Sequence, residues 1–157
     1  MPGVRATNGG RQLKTESIPI AELHQDPANV RRHGARNIAA IKASLQRFGQ
    51  QKPIVVDADN VVRAGNGTLA AAIELGWSAV DCVRSDLGGV ELTAFAIADN
   101  RSAELAEWSD DLGAMLEQLV ADGVQIESVG FTPEEVKTIC DLRDSPDFDL
   151  PDYQVEE

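Results

Sequence analysis

The sequence predicts an α+β fold: a small mixed β-sheet with packed helices and a helical C-terminal extension. Short apolar strands alternate with helices and one hairpin over residues 17–83, in the order β-α-β-β-α-β. Helical patterns then replace the strands from about residue 89 to residue 143. With 157 residues and 43% hydrophobic content, the chain is long enough to bury an ordinary core.

The first half of this pattern begins with a polar stretch over residues 1–15, which predicts a flexible arm. Residues 17–20 predict a short edge strand, because the proline within them could not serve a central one. Asp26 to Asn29 have the composition of a turn. Apolar residues at helical spacing follow from Asn37 to Phe48, and Gly49 is the expected C-cap of that helix.

Strands and a helix alternate in the middle of the chain. Residues 53–57 and 61–63 predict two strands joined by a tight turn, which together form a hairpin. A helix is expected from Thr68 to Leu75, and residues 79–83 predict a further strand. These elements would form the mixed sheet with helices packed against it.

Three helical patterns occupy the second half. The first begins near Gly89 and is expected to break at Asp99 and Asn100, since both residue types favour caps and turns. The others cover residues 110–121 and 132–143. The predicted organisation is a flexible arm over 1–15, a core over 16–101, a helical extension over 102–144 and an acidic tail or linker over 145–157.

Charge is distributed unevenly along the chain. Residues 1–52 carry nine Lys and Arg against three acidic residues, whereas residues 53–157 carry five against 23. This asymmetry suggests that the basic part faces a polyanion, although scattered charges are more often a solvated surface. No apolar run reaches membrane-spanning length, and Cys82 and Cys140 lack metal-ligand spacing. We therefore expect a cytoplasmic protein without a membrane partner.

The most informative local motif joins the second strand of the hairpin to an Ala-rich helix. There, Gly65-Asn66-Gly67 is followed by Thr68, a preferred N-cap residue. The first turn of a helix has unpaired amide groups and a positive dipole end, which together suit an anion such as phosphate. The alternative is that the glycines serve only the geometry of the turn.

Five short blocks occur in a characteristic order: I-x-x-L-H-x-D-P-A-N-x-R, F-G-Q-x-x-P-I-V-V, A-G-N-G-T, L-G-W and A-I-A-D-N-R. In this order they resemble the ParB/sulfiredoxin superfamily, and they look closest to ParB-like nuclease domains of phages and mobile elements, often joined to DNA methyltransferases. The resemblance covers roughly residues 16–143. It implies binding of a nucleoside triphosphate, CTP or ATP, together with Mg²⁺.

The resemblance also implies which residues form the site. The Gly65–Thr68 turn occupies the place of a Gly-Glu-Arg-Arg turn that holds the triphosphate, but the paired arginines are absent. The implied nucleotide- and phosphate-binding residues are Gly65, Asn66, Gly67, Thr68, Arg31, Arg32, Gln50 and Arg101, and the implied Mg²⁺ ligands are Asp99 and Asn100. Asp99 and Asn100 could instead form a helix cap or kink, and Gln50 could be an ordinary turn residue.

Two enzymatic branches of the superfamily require particular residues. Sulfiredoxin needs a cysteine in the glycine turn, where this chain has Asn66, and Cys82 falls in a predicted buried strand. A serine-kinase branch needs a carboxylate base, for which Glu22 and Asp26 are candidates that nothing in the sequence separates. The catalytic residue, if any, is thus left open.

Three functions are compatible with the sequence. The first is a nucleotide-binding module in DNA transactions, which could act as a slow triphosphatase or switch. The second is a metal-dependent DNA endonuclease, although no carboxylate cluster of two-metal type is visible. The third is an adaptor whose acidic helices dock a DNA methyltransferase or other protein. DNA would be contacted through the basic residues of 31–52, and leucines of the last helices could support a homodimer.

Overall fold

The computed structural model describes residues 12–29 and 31–144. The described chain divides into two compact units, one up to Ala106 and one from Glu107 onward. Most of the predicted arm, over residues 1–11, and the predicted acidic tail over 145–157 lie outside the described residues. In the described part no helix is long and apolar enough to cross a membrane.

The first unit is built on one mixed sheet of five strands, in the spatial order β1-β5-β3-β4-β2. The strands are β1 (Thr15–Pro19), β2 (His24–Gln25), β3 (Ile54–Val56), β4 (Val61–Ala64) and β5 (Ala79–Arg84). Neighbours β1 and β5 are antiparallel, as are β3 and β4, whereas β3 runs parallel to β5 and β2 parallel to β4. The predicted edge strand and hairpin are confirmed.

Two short features differ from the prediction. Thr15 already pairs with Val83 in β1, so the expected arm ends earlier than residue 15. Strand β2 was missed because it has only two residues, His24 and Gln25, and both are exposed. A strand of that length has no periodicity to detect, and it exists because it pairs with β4.

Three α-helices complete the first unit: α1 (Ala35–Phe48), α2 (Asn66–Glu74) and α3 (Gly89–Glu104). Helix α1 ends at Gly49, which has a positive φ of 70° that favours glycine and whose amide donates to the Leu45 carbonyl. Helices α1 and α2 pack together over the sheet. Their core includes fully buried Val56, Val62 and Leu69. Ala71 and Ala72 are also fully buried, because small side chains let α2 approach its neighbours closely.

Two predicted helix boundaries are wrong. Helix α2 begins at Asn66 with Gly65 as its N-cap, so Thr68 lies in the first turn and caps nothing. Helix α3 does not break at Asp99 and Asn100 but continues to Glu104. Asn100 is accommodated because its Nδ2 donates to the Ala96 carbonyl one turn earlier, at 2.9 Å.

The second unit contains α4 (Leu112–Ala121), a 3₁₀ turn (Ile126–Val129) and α5 (Pro133–Arg143). Both predicted helices are confirmed. Helix α5 begins with a capping box, in which the Thr132 hydroxyl accepts from the Glu135 amide and the Glu135 carboxylate accepts from the Thr132 amide. The apolar interior of the second unit is small, and Leu116 and Ile126 are the buried large side chains among its described residues.

Candidate functional site

The turn between β4 and α2 exposes the amide end of a helix. Gly65 has a φ of 101°, and a Cβ there would lie 3.0 Å from Ile54 Cγ1, so both conformation and space favour glycine. The first hydrogen bond within the helix runs from the Leu69 amide to the Gly65 carbonyl at 2.9 Å. The amides of residues 66–68 have no acceptor among the described residues, which leaves them available to an anion.

Gly67 is needed for a different reason, the close approach of its neighbours. A Cβ at this position would lie 2.7 Å from His33 Cε1 and 2.9 Å from Ile41 Cδ1. His33 is held in place by Asn37, whose Oδ1 lies 2.7 Å from His33 Nδ1. The imidazole therefore forms one wall of the space beside the first turn of α2.

That space is a cleft of about 250 Å³. Its wall comes from five parts of the first unit: the loop around Arg31, α1 at Ile41, the residues at the start of β3, the β4–α2 turn, and α3 at Asp99 and Asn100. Strands β3 and β4 are antiparallel, so the start of one and the end of the other lie at the same sheet edge. Helix α3 packs against β4 and supplies the remaining side.

Seven of the predicted site residues line this one cleft. They are Gly65, Asn66, Gly67, Thr68, Arg31, Asp99 and Asn100. The Asn66 side chain, however, is occupied within the protein: its Oδ1 accepts from the Asp26 amide at 3.1 Å and its Nδ2 donates to the Val62 carbonyl at 3.0 Å. Asn66 can therefore offer a ligand its main-chain amide but not its side chain.

The other predicted residues do not line the cleft. Arg32 and Arg101 are exposed outside it, and Arg101 lies 3.4 Å from Glu104. The Gln50 side chain exchanges two hydrogen bonds with the main chain of Asp81 in β5, both 2.8 Å long. These two hydrogen bonds take the place of the main-chain bonds that a longer β3 would make with β5. The structure gives Gln50 a role in the sheet and not in the cleft.

The candidate bases also lie apart from the cleft lining. Glu22 is exposed in a short 3₁₀ turn, and Asp26 is committed to an ion pair with Arg63 at 3.0 Å. Arg63 Nη2 lies 2.9 Å from the second carboxylate, Asp57. Nothing in this arrangement selects either Glu22 or Asp26 as a catalytic residue.

The Asp57–Arg63 contact has an electrostatic signature. Burial by itself would raise the pKa of Asp57, but the Val61 amide, the Arg63 guanidinium and the Asp59 amide donate to the carboxylate. These donors outweigh burial and hold the pKa below its usual value of 3.8. Burial by itself would lower the pKa of Arg63, but the carboxylates of Asp57 and Asp26 raise it above its usual value. The arrangement locks β4 to the hairpin turn and to the turn after β2.

Asp99 and Asn100 have the chemistry of Mg²⁺ ligands. The Asp99 carboxylate makes no hydrogen bond or ion pair with another described residue, and both residues are half-buried in the cleft wall. Because Asn100 uses its Nδ2 toward Ala96, its Oδ1 remains an acceptor. A carboxylate oxygen and an amide oxygen are ligand types that Mg²⁺ takes in proteins.

Three ionisable residues of the cleft lining were not among the predicted site residues: His33, Lys52 and Arg63. Lys52 fell among the unspecified positions of the F-G-Q-x-x-P block, and Arg63 was counted as part of a strand. The predicted hairpin could have indicated Lys52, because antiparallel β3 and β4 place the residues before β3 beside the glycine turn. In the described part of the chain, no three His, Cys, Asp or Glu side chains converge as a metal site.

No family model matches the chain. A C-terminally truncated chromosome-partitioning protein ParB from Caulobacter crescentus, solved with CTP-gamma-S, superposes with a TM-score of 0.71 at 19% identity, over 85% of this chain and 81% of that one. A Pnob8-like ParB-N domain gives a TM-score of 0.50 at 16% identity, over 85% and 62%. The fold is therefore that of a ParB-like domain.

A related sequence agrees with this fold. The ParB-like nuclease domain-containing protein YnaK of Escherichia coli (strain K12) is 29% identical over 72 residues, which are 46% of this chain and 83% of the relative. The chain is thus a homologue of a ParB-like nuclease domain protein, as the order of its sequence blocks predicted.

Proposed function

We propose that the cleft binds a nucleoside triphosphate, CTP or ATP, together with Mg²⁺, in a DNA-related process. The observation that carries this proposal is the meeting of two features in one cleft. The free amides of residues 66–68 lie at the positive end of α2, and Asp99 and Asn100 offer oxygen ligands from α3. Phosphate and a divalent cation are the ligands that these two features suit together.

Within this proposal, the main-chain amides of Asn66, Gly67 and Thr68 donate to phosphate oxygens, and the Thr68 hydroxyl can add a further bond. Arg31 supplies positive charge at the rim, although it is shared with Glu104 at 3.0 Å. Asp99 and Asn100 would hold Mg²⁺, which neutralises phosphate charge when it is bound. Arg32, Gln50 and Arg101 are left out because they do not line the cleft.

A solved structure of similar fold supports the same proposal. The Caulobacter ParB is described as a chromosome-partitioning protein and was solved with a CTP analogue, and it superposes well on this chain. That protein is only 19% identical to this chain, so its ligand does not decide between CTP and ATP here, and we propose both as candidate ligands. A slow triphosphatase or switch is the form of activity that we propose for it.

The binding test is isothermal titration calorimetry with CTP, ATP and GTP, each with and without Mg²⁺. We expect saturable binding of at least one triphosphate, strengthened by Mg²⁺. Absence of binding at millimolar concentration of all three would contradict the proposal. Chromatography of the same mixtures after long incubation shows whether a diphosphate accumulates, which separates a triphosphatase from a simple binder.

The DNA partner is proposed to contact the basic residues of 31–52. This region contains Arg31, Arg32, Arg36, Lys42, Arg47 and Lys52, and such clusters neutralise phosphates in a salt-dependent manner. Fluorescence anisotropy with duplex DNA at increasing salt, with and without nucleotide, tests this contact. Binding that does not weaken with salt would argue against a phosphate contact.

The endonuclease and adaptor hypotheses each have their own test. Nicking of supercoiled plasmid that depends on metal and disappears in Asp99→Ala would establish an endonuclease. The adaptor hypothesis is favoured by the second unit, where residues 107–144 carry ten acidic against two basic residues. That unit also exposes Trp108 and Met115. Co-purification with a DNA methyltransferase encoded beside the protein would support an adaptor, and light scattering would detect a homodimer.

A further inference from the structure

We infer that Lys52 is the specificity-determining residue that recognises the terminal phosphates of the ligand. This inference rests on the proposed function and adds to it a residue and a ligand class: the site distinguishes nucleotides by their number of phosphates.

The other cations of the cleft are already committed to carboxylates. Arg31 Nη1 lies 3.0 Å from Glu104 Oε1, and Arg63 lies 2.9 Å from Asp57 and 3.0 Å from Asp26. Lys52 also lines the cleft and is exposed, but within the described residues it makes no ion pair. Among the described lining residues, Lys52 is therefore the cation whose charge is not already shared with a carboxylate.

The main chain of Lys52 is held in place. Its carbonyl accepts from Gln50 Nε2 at 3.1 Å, and the same amide group is bonded to the Asp81 carbonyl of β5. Pro53 follows it and restricts its backbone to extended conformations. Lys52 then leads into β3, whose first residue, Ile54, contacts the glycine turn. A flexible side chain thus extends from a fixed point at the same sheet edge as the amides of α2.

The size and lining of the cleft favour phosphate over the base. Its volume of about 250 Å³ is below the roughly 300 Å³ at which pockets for whole small ligands begin. Among the described residues of its wall, the His33 imidazole is the one aromatic ring on which a base could stack. A lysine ammonium is a compact charge with rotatable donors, which suits a phosphate chain of variable geometry.

The test compares Lys52→Gln with the wild type by isothermal titration against CTP, CDP and CMP and against ATP, ADP and AMP, with Mg²⁺ present. We expect the variant to lose about tenfold or more in triphosphate affinity. Monophosphate affinity should stay within about twofold, because the amides of α2 still bind one phosphate. Lys52→Arg should keep most of the preference for triphosphate, since it retains the charge.

Lys14→Gln is the matched control. It removes the same charge from the same unit, and Lys14 is exposed and does not line the cleft. It should bind like the wild type, and circular dichroism should show that both variants are folded. If the wild type binds no nucleotide, the proposed function and this inference fail together. If the wild type binds but Lys52→Gln shows equal losses for mono- and triphosphates, or none, the inference alone is overturned.

Discussion

At the scale of single residues, two neighbours in the glycine turn have opposite tasks. Gly67 keeps space open, because its missing Cβ makes room for His33 and Ile41. The side chain of Asn66, in contrast, is buried and joins Asp26 in the turn after β2 to Val62 of β4. The motif therefore combines a free amide surface with a rigid support beneath it.

Replacing Gly67 by Ala should destabilise the first unit. The new Cβ would lie 2.7 Å from His33 Cε1, so the imidazole must move away from Asn37. We expect a loss of about 1–3 kcal/mol in the free energy of unfolding, measured by urea denaturation, despite the better helix propensity of Ala. Gly113→Ala is the control, since its Cβ would meet no atom closer than 3.4 Å. Equal stability of both variants would contradict the prediction.

Asn66 and Asn100 should give opposite phenotypes as Ala variants. Asn66→Ala leaves the Asp26 amide and the Val62 carbonyl without their partner, which should cost about 1–3 kcal/mol in urea denaturation. Asn100→Ala removes only a bond within one helix turn and should cost less than about 1 kcal/mol. Calorimetry should instead show that Asn100→Ala loses the Mg²⁺-dependent part of nucleotide affinity. A stability loss in Asn100→Ala as large as in Asn66→Ala would contradict this assignment.

At the scale of elements, side chains complete what the short strands leave unfinished. Strand β3 has only three residues, and Gln50 supplies the hydrogen bonds that Asp81 of β5 would otherwise lack. On the other side of the sheet, Arg63 of β4 connects Asp26 and Asp57, so one guanidinium joins two turns. These polar contacts position the loops that form the cleft.

The Asp57–Arg63 contact predicts the acid stability of the fold. The folded chain holds the pKa of Asp57 below 3.8. The stabilisation is therefore complete above that pH and is lost as the pH falls through the lower, folded value. Asp57→Asn should reduce the free energy of unfolding at neutral pH and flatten its decline below about pH 4. Asp59→Asn, at an exposed neighbour, should keep the wild-type profile in urea denaturation from pH 2 to 7. An unchanged acid slope in Asp57→Asn would contradict the assignment.

At the scale of the whole molecule, the chain separates its charges between its two units. Every described residue that lines the cleft belongs to the first unit, whereas the second unit carries most of its charge as carboxylates. The first unit also contains the sheet and the main apolar core. The proposed nucleotide site and the proposed surface for a protein partner therefore lie in different parts of the chain.

A chain that ends after Ala106 should accordingly bind nucleotide as the full chain does. It keeps α3 to its end at Glu104 and all of the cleft wall. We expect calorimetric affinities within about twofold, a free-energy change well below that of one hydrogen bond to a charged group. A cooperative thermal transition in circular dichroism would show that the shortened chain is folded. A large loss of affinity in a folded, shortened chain would show that the second unit contributes to the site.

The sequence predicted those parts of the molecule that depend on near neighbours. Helix α1 and its end at Gly49, the hairpin and helix α5 each follow from patterns within a few residues. The turn at Gly65–Thr68 was also visible, although its helix begins two residues earlier than predicted. The break expected at Asn100 was wrong, because one bond to Ala96 offsets its preference for turns.

What the sequence by itself determined is the order of elements and the presence of an amide-rich helix terminus, because periodicity and glycine conformation act locally. Only the tertiary structure decided which side chains reach that terminus. Asp26 meets Asn66 across 40 residues, and Arg31 meets Glu104 across 73. Such contacts depend on which strands become neighbours in the sheet, and packing of the whole core selects that order.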